Sequence, residues 1–375
     1  MIDCAAYFER LKRSGFGYFT GVPDSLLKDF CAYVTDHAEP ARHVIAANEG
    51  AAIALAAGHY LATGEPGLVY LQNSGLGNTV NPLTSLSDPA IYGIPSLLLI
   101  GWRGEPGRPD EPQHVKQGAV TFDTLKALGI PSEVLADTID QATPQLDRAA
   151  TYLKDNSAPF ALVVRAGTFA EYEKQATAAS RFEMHREDSV IEVASHLSSD
   201  DVIVSTTGKA SRELFEYRAS SGGDHSGDFL TVGSMGHASQ IALGIALARR
   251  QRQVICLDGD GALIMHMGAL AIAGTRGPRN FKHILINNGV HDSVGGQPTA
   301  GFGIDIPAIA LGCGYRKAWR VERRDDVAAA VRELRETDGP ALLEIKTSAG
   351  ARKDLGRPTV APSENKIAFM KKLSR

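Results

Sequence analysis

The sequence predicts an α/β protein made of two doubly wound parallel-sheet domains, and three observations carry that prediction. Short apolar, β-branched runs alternate with helical patterns along the chain, as expected of parallel strands covered on both faces by crossover helices. The alternation is broken by a polar, charged stretch, so residues 1–170 and 187–375 are expected to be separate domains with a linker at 171–186. Glycine and polar clusters follow the strand candidates, at the carboxyl ends where open parallel sheets bind ligands.

Taken in order, residues 1–15 place Cys4, Phe8 and Leu11 on one stripe among Asp3, Glu9, Arg10, Lys12 and Arg13. That pattern reads as an amphipathic helix and not as a signal peptide. Strands are expected at 18–21, 43–47, 67–71, 96–102 and 160–165, then at 202–206, 229–232, 254–257, 283–286 and 341–346. Helices are expected at 49–62, 239–250, 262–273 and 327–335. No apolar run approaches the length that spans a bilayer.

A formal net charge of −4 argues against a general nucleic-acid binder. Cys4, Cys31, Cys256 and Cys313 lie far apart with no paired ligand spacing. They fit reduced, buried thiols in a cytoplasmic protein better than a disulfide framework or a zinc site.

The strongest chemical signal is Gly259-Asp260-Gly261 at the end of one expected strand, answered by Asn287-Asn288 at the end of the next. Mg²⁺ prefers one or two protein oxygens completed by phosphate oxygens and water. Asp260 offers a charged oxygen, the Asn288 side chain a neutral one, and the Val290 carbonyl a third. Gly261 lets the backbone approach a diphosphate, and the helix expected at 262–273 would turn its positive end toward the anion. An N-capping aspartate and an Asn-Asn-Gly turn are the structural alternatives. Two other glycine motifs are discounted: Gly75-Leu76-Gly77 lacks the third glycine of a dinucleotide fingerprint, and Gly208-Lys209 lacks the earlier glycine of a phosphate-binding loop.

With these motifs in view, the second half resembles the diphosphate-binding domain of thiamine diphosphate enzymes, and the first half resembles their pyrimidine-binding domain. The middle domain of larger relatives is missing, which points to compact decarboxylases. Thr20 to Ser25, Asp110 to Gly118, Thr206 to Glu213, Asn287 to Thr299 and Asp354 to Thr359 resemble the phosphonopyruvate decarboxylase family, with the sulfopyruvate decarboxylases as its neighbour. The resemblance implies thiamine diphosphate and Mg²⁺ as cofactors and decarboxylation of the 2-oxo acid phosphonopyruvate, in phosphonate and antibiotic biosynthesis. It also implies a homo-oligomer with active sites at subunit interfaces, and neither nucleic acid nor membrane as partner. A sulfopyruvate decarboxylase, a carboligase or a non-catalytic cofactor-binding assembly protein are the other readings.

Residue by residue, the resemblance makes Glu49 the carboxylate on N1′ of the aminopyrimidine, where it favours the imino tautomer that activates the cofactor. The alternative for Glu49 is a first-turn acid favoured by the helix dipole. Met235 is implied as the bulky apolar residue that bends the cofactor, against a place in the core. Asn73, Gly208 and Gly233 are further implied cofactor contacts. Asp24, His114 and His291 are implied in proton handling, although Ser25 can take the position of Asp24 and His291 can instead order its loop. An anionic substrate calls for cations and neutral donors: Ser25, His114, Lys116, Lys209, Arg212, Arg352, Lys353 and Arg357. Each basic side chain taken singly also reads as a solvated surface group, while the tail at 350–359 is expected to close as a lid.

Overall fold

The computed structural model describes residues 1–175 and 182–374. The chain forms two compact units, Met1–Thr177 and Ala178–Arg375. Of the linker expected at 171–186, residues 176–181 lie outside the described residues.

In the first unit, β1 (Phe19–Gly21), β2 (His43–Ile45), β3 (Gly67–Gln72), β4 (Ser96–Gly101), β5 (Ser132–Val134) and β6 (Phe160–Val164) form one parallel sheet. Its order is β2-β1-β3-β4-β6-β5. In the second unit, β7 (Val202–Ser205), β8 (Asp228–Leu230), β9 (Val254–Gly259), β10 (Phe281–Asn287), β11 (Lys317–Val321) and β12 (Ala341–Lys346) form another, in the order β11-β12-β10-β9-β7-β8. Read from its β8 edge, the second sheet follows the same path as the first. Strand order therefore reverses between β1 and β3 and again between β7 and β9, and a reversal of that kind opens a crevice at the carboxyl ends of the two strands.

Each sheet is buried on both faces. In β4, Leu97 and Leu99 join one core cluster while Leu98 and Ile100 join the other. In β9, Ile255 and Leu257 alternate in the same way with Val254 and Cys256. A continuous apolar run results, and each fully buried leucine contributes roughly 2 kcal/mol. The amino-terminal helix Cys4–Arg13 buries Cys4, Tyr7, Phe8 and Leu11, and the Asp3 side chain caps it by accepting from the Ala6 N–H.

Two strands escape the sequence reading, and both are edges. β5 and β11 are half-buried throughout, so they lack a continuous apolar run. The helix expected at 262–273 is corrected to two, Asp260–Met265 and Ala269–Arg276. His266 ends the first at φ −132° and ψ 48°, with its ring 4.5 Å from that of His237.

One half-buried histidine sets a pH dependence. Burial lowers His43 from 6.5 to about 4, and its Nε2 lies 2.8 Å from the Tyr70 hydroxyl. Between those two values the unfolded chain holds a proton that the fold refuses, so stability rises with pH across this window and the loss is complete below it. The expected span is up to about 3 kcal/mol. Urea unfolding of His43→Gln between pH 7 and pH 4 checks it: the variant should lose less stability than the parent, and equal losses would remove His43 as the cause.

Candidate active site

The expected site residues fall into two groups, one at the carboxyl edge of each sheet. On the first sheet the reversal between β1 and β3 brings together Asp24 and Ser25 after β1 with Gln72, which ends β3, and Asn73 to Gly75 after it. Asn48 follows β2 and caps the helix Glu49–Thr63 by accepting from the Ala51 N–H at 2.9 Å. That cap fixes Glu49 as the first helical residue, with 5% of its surface exposed. The Asn78 side chain donates to Glu49 Oε2 at 2.7 Å, while burial, the larger effect, raises the carboxyl above its ordinary value. Gly75 lies against the same carboxylate: a methyl group there would sit 2.3 Å from Oε1.

Other residues of this edge form a scaffold. Asp24, expected in proton handling, is 0% exposed, and its oxygens accept from Gln72 Nε2 at 2.6 Å and the Leu26 N–H at 2.8 Å. Burial outweighs these donors and raises its pKa. Asn73 donates to the Arg103 carbonyl and Thr121 Oγ1 and accepts from the Arg103 N–H, so its side chain ties strand ends together. Arg103, absent from the sequence reading, places Nη1 2.7 Å from Ser25 Oγ and pairs through Nε and Nη2 with Asp110. Asp110 also lies 2.9 Å from His114 Nδ1, which orients that buried ring. The i, i+4 spacing of Asp110 and His114 was the available sequence signal. Lys116 is exposed on the same helix, Pro112–Ala127.

On the second sheet, Asp260 opens the helix after β9 and is 2% exposed. It accepts from Thr299 Oγ1 and, at 3.4 Å, from the Asn288 N–H. Asn288 in turn accepts from the Val290 N–H at 3.2 Å. Burial raises Asp260 to about 6. No basic side chain pairs with it among the described residues, and a buried carboxylate without a counter-charge is costly unless a cation joins it. The donor set of Asp260 carboxylate, Asn288 amide oxygen and Val290 carbonyl fits a hard divalent ion. Gly301 closes over it, since a methyl there would lie 2.6 Å from Asp260 Oδ2 and 2.7 Å from Asn287 Oδ1.

Across the β7–β9 reversal, Gly208 at φ +100° precedes the helix Lys209–Ser220. Gly233, Ser234 and Gly236 all have positive φ, and the Gly233 N–H donates to Thr207 Oγ1 at 3.0 Å. Met235 within this turn is half-buried and belongs to none of the core clusters. The His291 ring packs on Gly261, where a methyl would meet it at 3.0 Å, and burial lowers it to about 4. Its backbone carbonyl also accepts from the Val294 and Gly296 N–H groups within the loop.

Five expected substrate cations lie in the second unit. Lys209 donates to the Asp292 carbonyl at 3.0 Å. Arg352 pairs with Glu187, Glu216 and Asp354. Lys353 and Arg357 are exposed on the tail, and Arg212 is half-buried. The sequence reading also missed Arg186, Glu213, Asp292 and Thr299. The last three stood inside quoted motifs, but nothing in one dimension showed what they touch.

Residues 5–127 match the family described as thiamine pyrophosphate enzyme, N-terminal TPP binding domain, and residues 206–345 match its C-terminal TPP binding domain. Thiamine pyrophosphate is thiamine diphosphate under its other name. The chain is 36% identical to a phosphonopyruvate decarboxylase of Streptomyces viridochromogenes, over 97% of this chain and 93% of that protein. It is 36% identical to a phosphonopyruvate decarboxylase of Streptomyces hygroscopicus, over 97% and 92% respectively. A sulfopyruvate decarboxylase of Methanosarcina acetivorans is 29% identical over 91% of this chain and 90% of its own length. With both cofactor-binding domains matched and these relatives aligned nearly end to end, the chain belongs to the phosphonopyruvate decarboxylase family of thiamine pyrophosphate enzymes.

Proposed function

We propose that this enzyme decarboxylates 3-phosphonopyruvate to phosphonoacetaldehyde, using thiamine diphosphate and Mg²⁺. The near-full-length likeness to two phosphonopyruvate decarboxylases carries this reading. When bound, thiamine diphosphate supplies the carbon nucleophile and the electron sink that loss of carbon dioxide needs. Glu49 would hold the aminopyrimidine through N1′, and its buried, hydrogen-bonded carboxyl keeps a shared proton away from water. Asp260, Asn288 and Val290 would hold Mg²⁺, with Gly208, Gly233 and Gly261 leaving room for the diphosphate. Half-buried Met235 would meet the apolar rings. His114 and Ser25, both oriented by the Arg103–Asp110 pair, are the proposed neutral contacts for the substrate, and Lys116 supplies a charge.

The surroundings of Glu49 favour assembly into a homo-oligomer. Its helix exposes Leu55 and Leu61, and the adjacent helix Leu76–Pro82 exposes Val80. Exposed apolar side chains on the helix that carries a candidate catalytic acid, and on its neighbour, suit burial by another copy. Sedimentation of the active enzyme tests this, and full activity from a monomer would defeat it. A place in phosphonate biosynthesis in the cytoplasm belongs to the same proposal.

Gly75→Ala gives a local check. The methyl group must displace the Glu49 carboxylate, and a shift of about 1 Å is expected to lower kcat by roughly 100-fold. Unchanged kcat with an intact circular dichroism spectrum would show that Glu49 position is immaterial.

The end-to-end alignment with a sulfopyruvate decarboxylase supports a second reading with the same fold and chemistry. Carbon dioxide release from phosphonopyruvate, sulfopyruvate and pyruvate, with and without thiamine diphosphate and Mg²⁺, separates the two. Cofactor-dependent preference for phosphonopyruvate is expected. Preference for sulfopyruvate moves the substrate, and no release from any of the three favours a carboligase or a non-catalytic role.

A further inference from the structure

The loop after β10 carries Asn288, Val290 and His291, and its two limbs are joined to each other. Val290 bridges Pro298, the Thr299 N–H donates to the Gly289 carbonyl at 2.8 Å, and the His291 N–H donates to the Gln297 carbonyl at 2.8 Å. Such a hairpin holds its own shape, but these bonds do not fix where its tip lies above the sheet.

Asp292 at that tip reaches two basic side chains from other elements. Arg186 Nη1 donates to Asp292 Oδ2 at 2.5 Å, and Lys209 Nζ donates to the Asp292 carbonyl at 3.0 Å. Arg186 opens the helix Arg186–Ser195, and its Nε and Nη2 fork onto Glu213 at 2.9 and 2.7 Å. The side chains of Arg186, Glu213 and Asp292 are 9%, 0% and 13% exposed.

We propose that Arg186 is a positioning residue: anchored by Glu213, it holds Asp292 and thereby sets the loop backbone that presents Asn288 and Val290 to the metal and the diphosphate. The proposal rests on the cofactor reading above. Stability alone does not account for the cluster, because buried ion pairs seldom outdo well-packed apolar side chains of the same volume. Geometry does. A guanidinium fork has a fixed plane, so seating two of its nitrogens on a rigid helix aims the third at one point. Asp292 lies two residues beyond Val290, and displacement of its carboxylate is passed directly to the ligand-bearing backbone.

Calorimetric titration of the full-length, cofactor-stripped protein with thiamine diphosphate in fixed Mg²⁺ tests this, alongside kcat at saturating cofactor. Arg186→Met and Asp292→Asn should each raise the cofactor Kd by roughly 10–100-fold, as loss of an outer partner of a metal site does. The effect on kcat should be smaller. Arg186→Lys, which keeps the charge and loses the fork, should fall between. The double variant should bind no more weakly than the worse single one, because both break the same contact. Asp292→Asn leaves the Arg186–Glu213 pair intact and carries the test if Arg186→Met fails to fold. Single variants with parental Kd, or losses that add in the double variant, overturn the positioning role alone. Failure of the parent protein to bind the cofactor overturns the cofactor reading and this inference with it.

Discussion

Glu49→Gln is expected to lower kcat by roughly 10²–10⁴-fold, the range for loss of a positioned acid or base, while fold and cofactor affinity stay close to the parent. The replacement has the same shape and can still accept from the Asn78 side chain that reaches Oε2. What it cannot do is share an ionisable proton with a ring nitrogen. A glutamate that served only the helix dipole would be worth about 0.3–1 kcal/mol of stability and nothing in kcat. The decisive pair of measurements is therefore turnover and thermal unfolding. Turnover within a few-fold of the parent, with a lowered Tm, would assign Glu49 to the helix and remove it from the chemistry.

Asp260→Asn is expected to abolish Mg²⁺-dependent cofactor binding. Changes around a metal ligand cost about 10–100-fold in affinity, and loss of a charged ligand itself should cost more. The same substitution should stabilise the cofactor-free protein. Burial holds the Asp260 carboxyl at about 6, above its ordinary 3.8. Above both values the fold carries an ionised group that the unfolded chain holds more cheaply, and below both values the penalty is gone. Removing the charge is thus expected to raise cofactor-free stability at pH 7.5 by up to about 3 kcal/mol, with no gain at pH 3.5. Saturating Mg²⁺ and thiamine diphosphate should reverse the order, since only the parent gains binding energy. Parental affinity in the variant would place the metal elsewhere.

The strands that carry the site were the legible ones. β3, β4, β9 and β10 lie inside their sheets and are buried on both faces, so each appears as an unbroken apolar run bounded by glycine or polar residues. β5 and β11 lie at sheet edges, where Glu133, Lys317 and Arg320 pair with Arg148, Glu333 and Glu344. Those charged positions interrupt the apolar pattern and hide the strand. The break at His266 was hidden for a related reason: apolar residues flank it on both sides, and its ring contact with His237 joins positions far apart along the chain.

Sequence alone determined the two α/β units, the carboxyl-edge location of the candidate site residues, and the pairing of Asp260 with Asn288, because strand period, glycine spacing and donor type are local properties. Tertiary structure decided which polar residues are available to a ligand and which are spent on the scaffold. Asp24 looks in one dimension like a proton-handling acid and Arg352 like a substrate cation, and only the fold shows their partners, Gln72 and the Leu26 N–H for the first and three carboxylates for the second. Arg186 precedes Asp292 by more than a hundred positions, and their contact at 2.5 Å exists only after the sheet has folded. A hydrogen bond is set by the separation of two atoms in space, and separation along the chain carries almost none of that information.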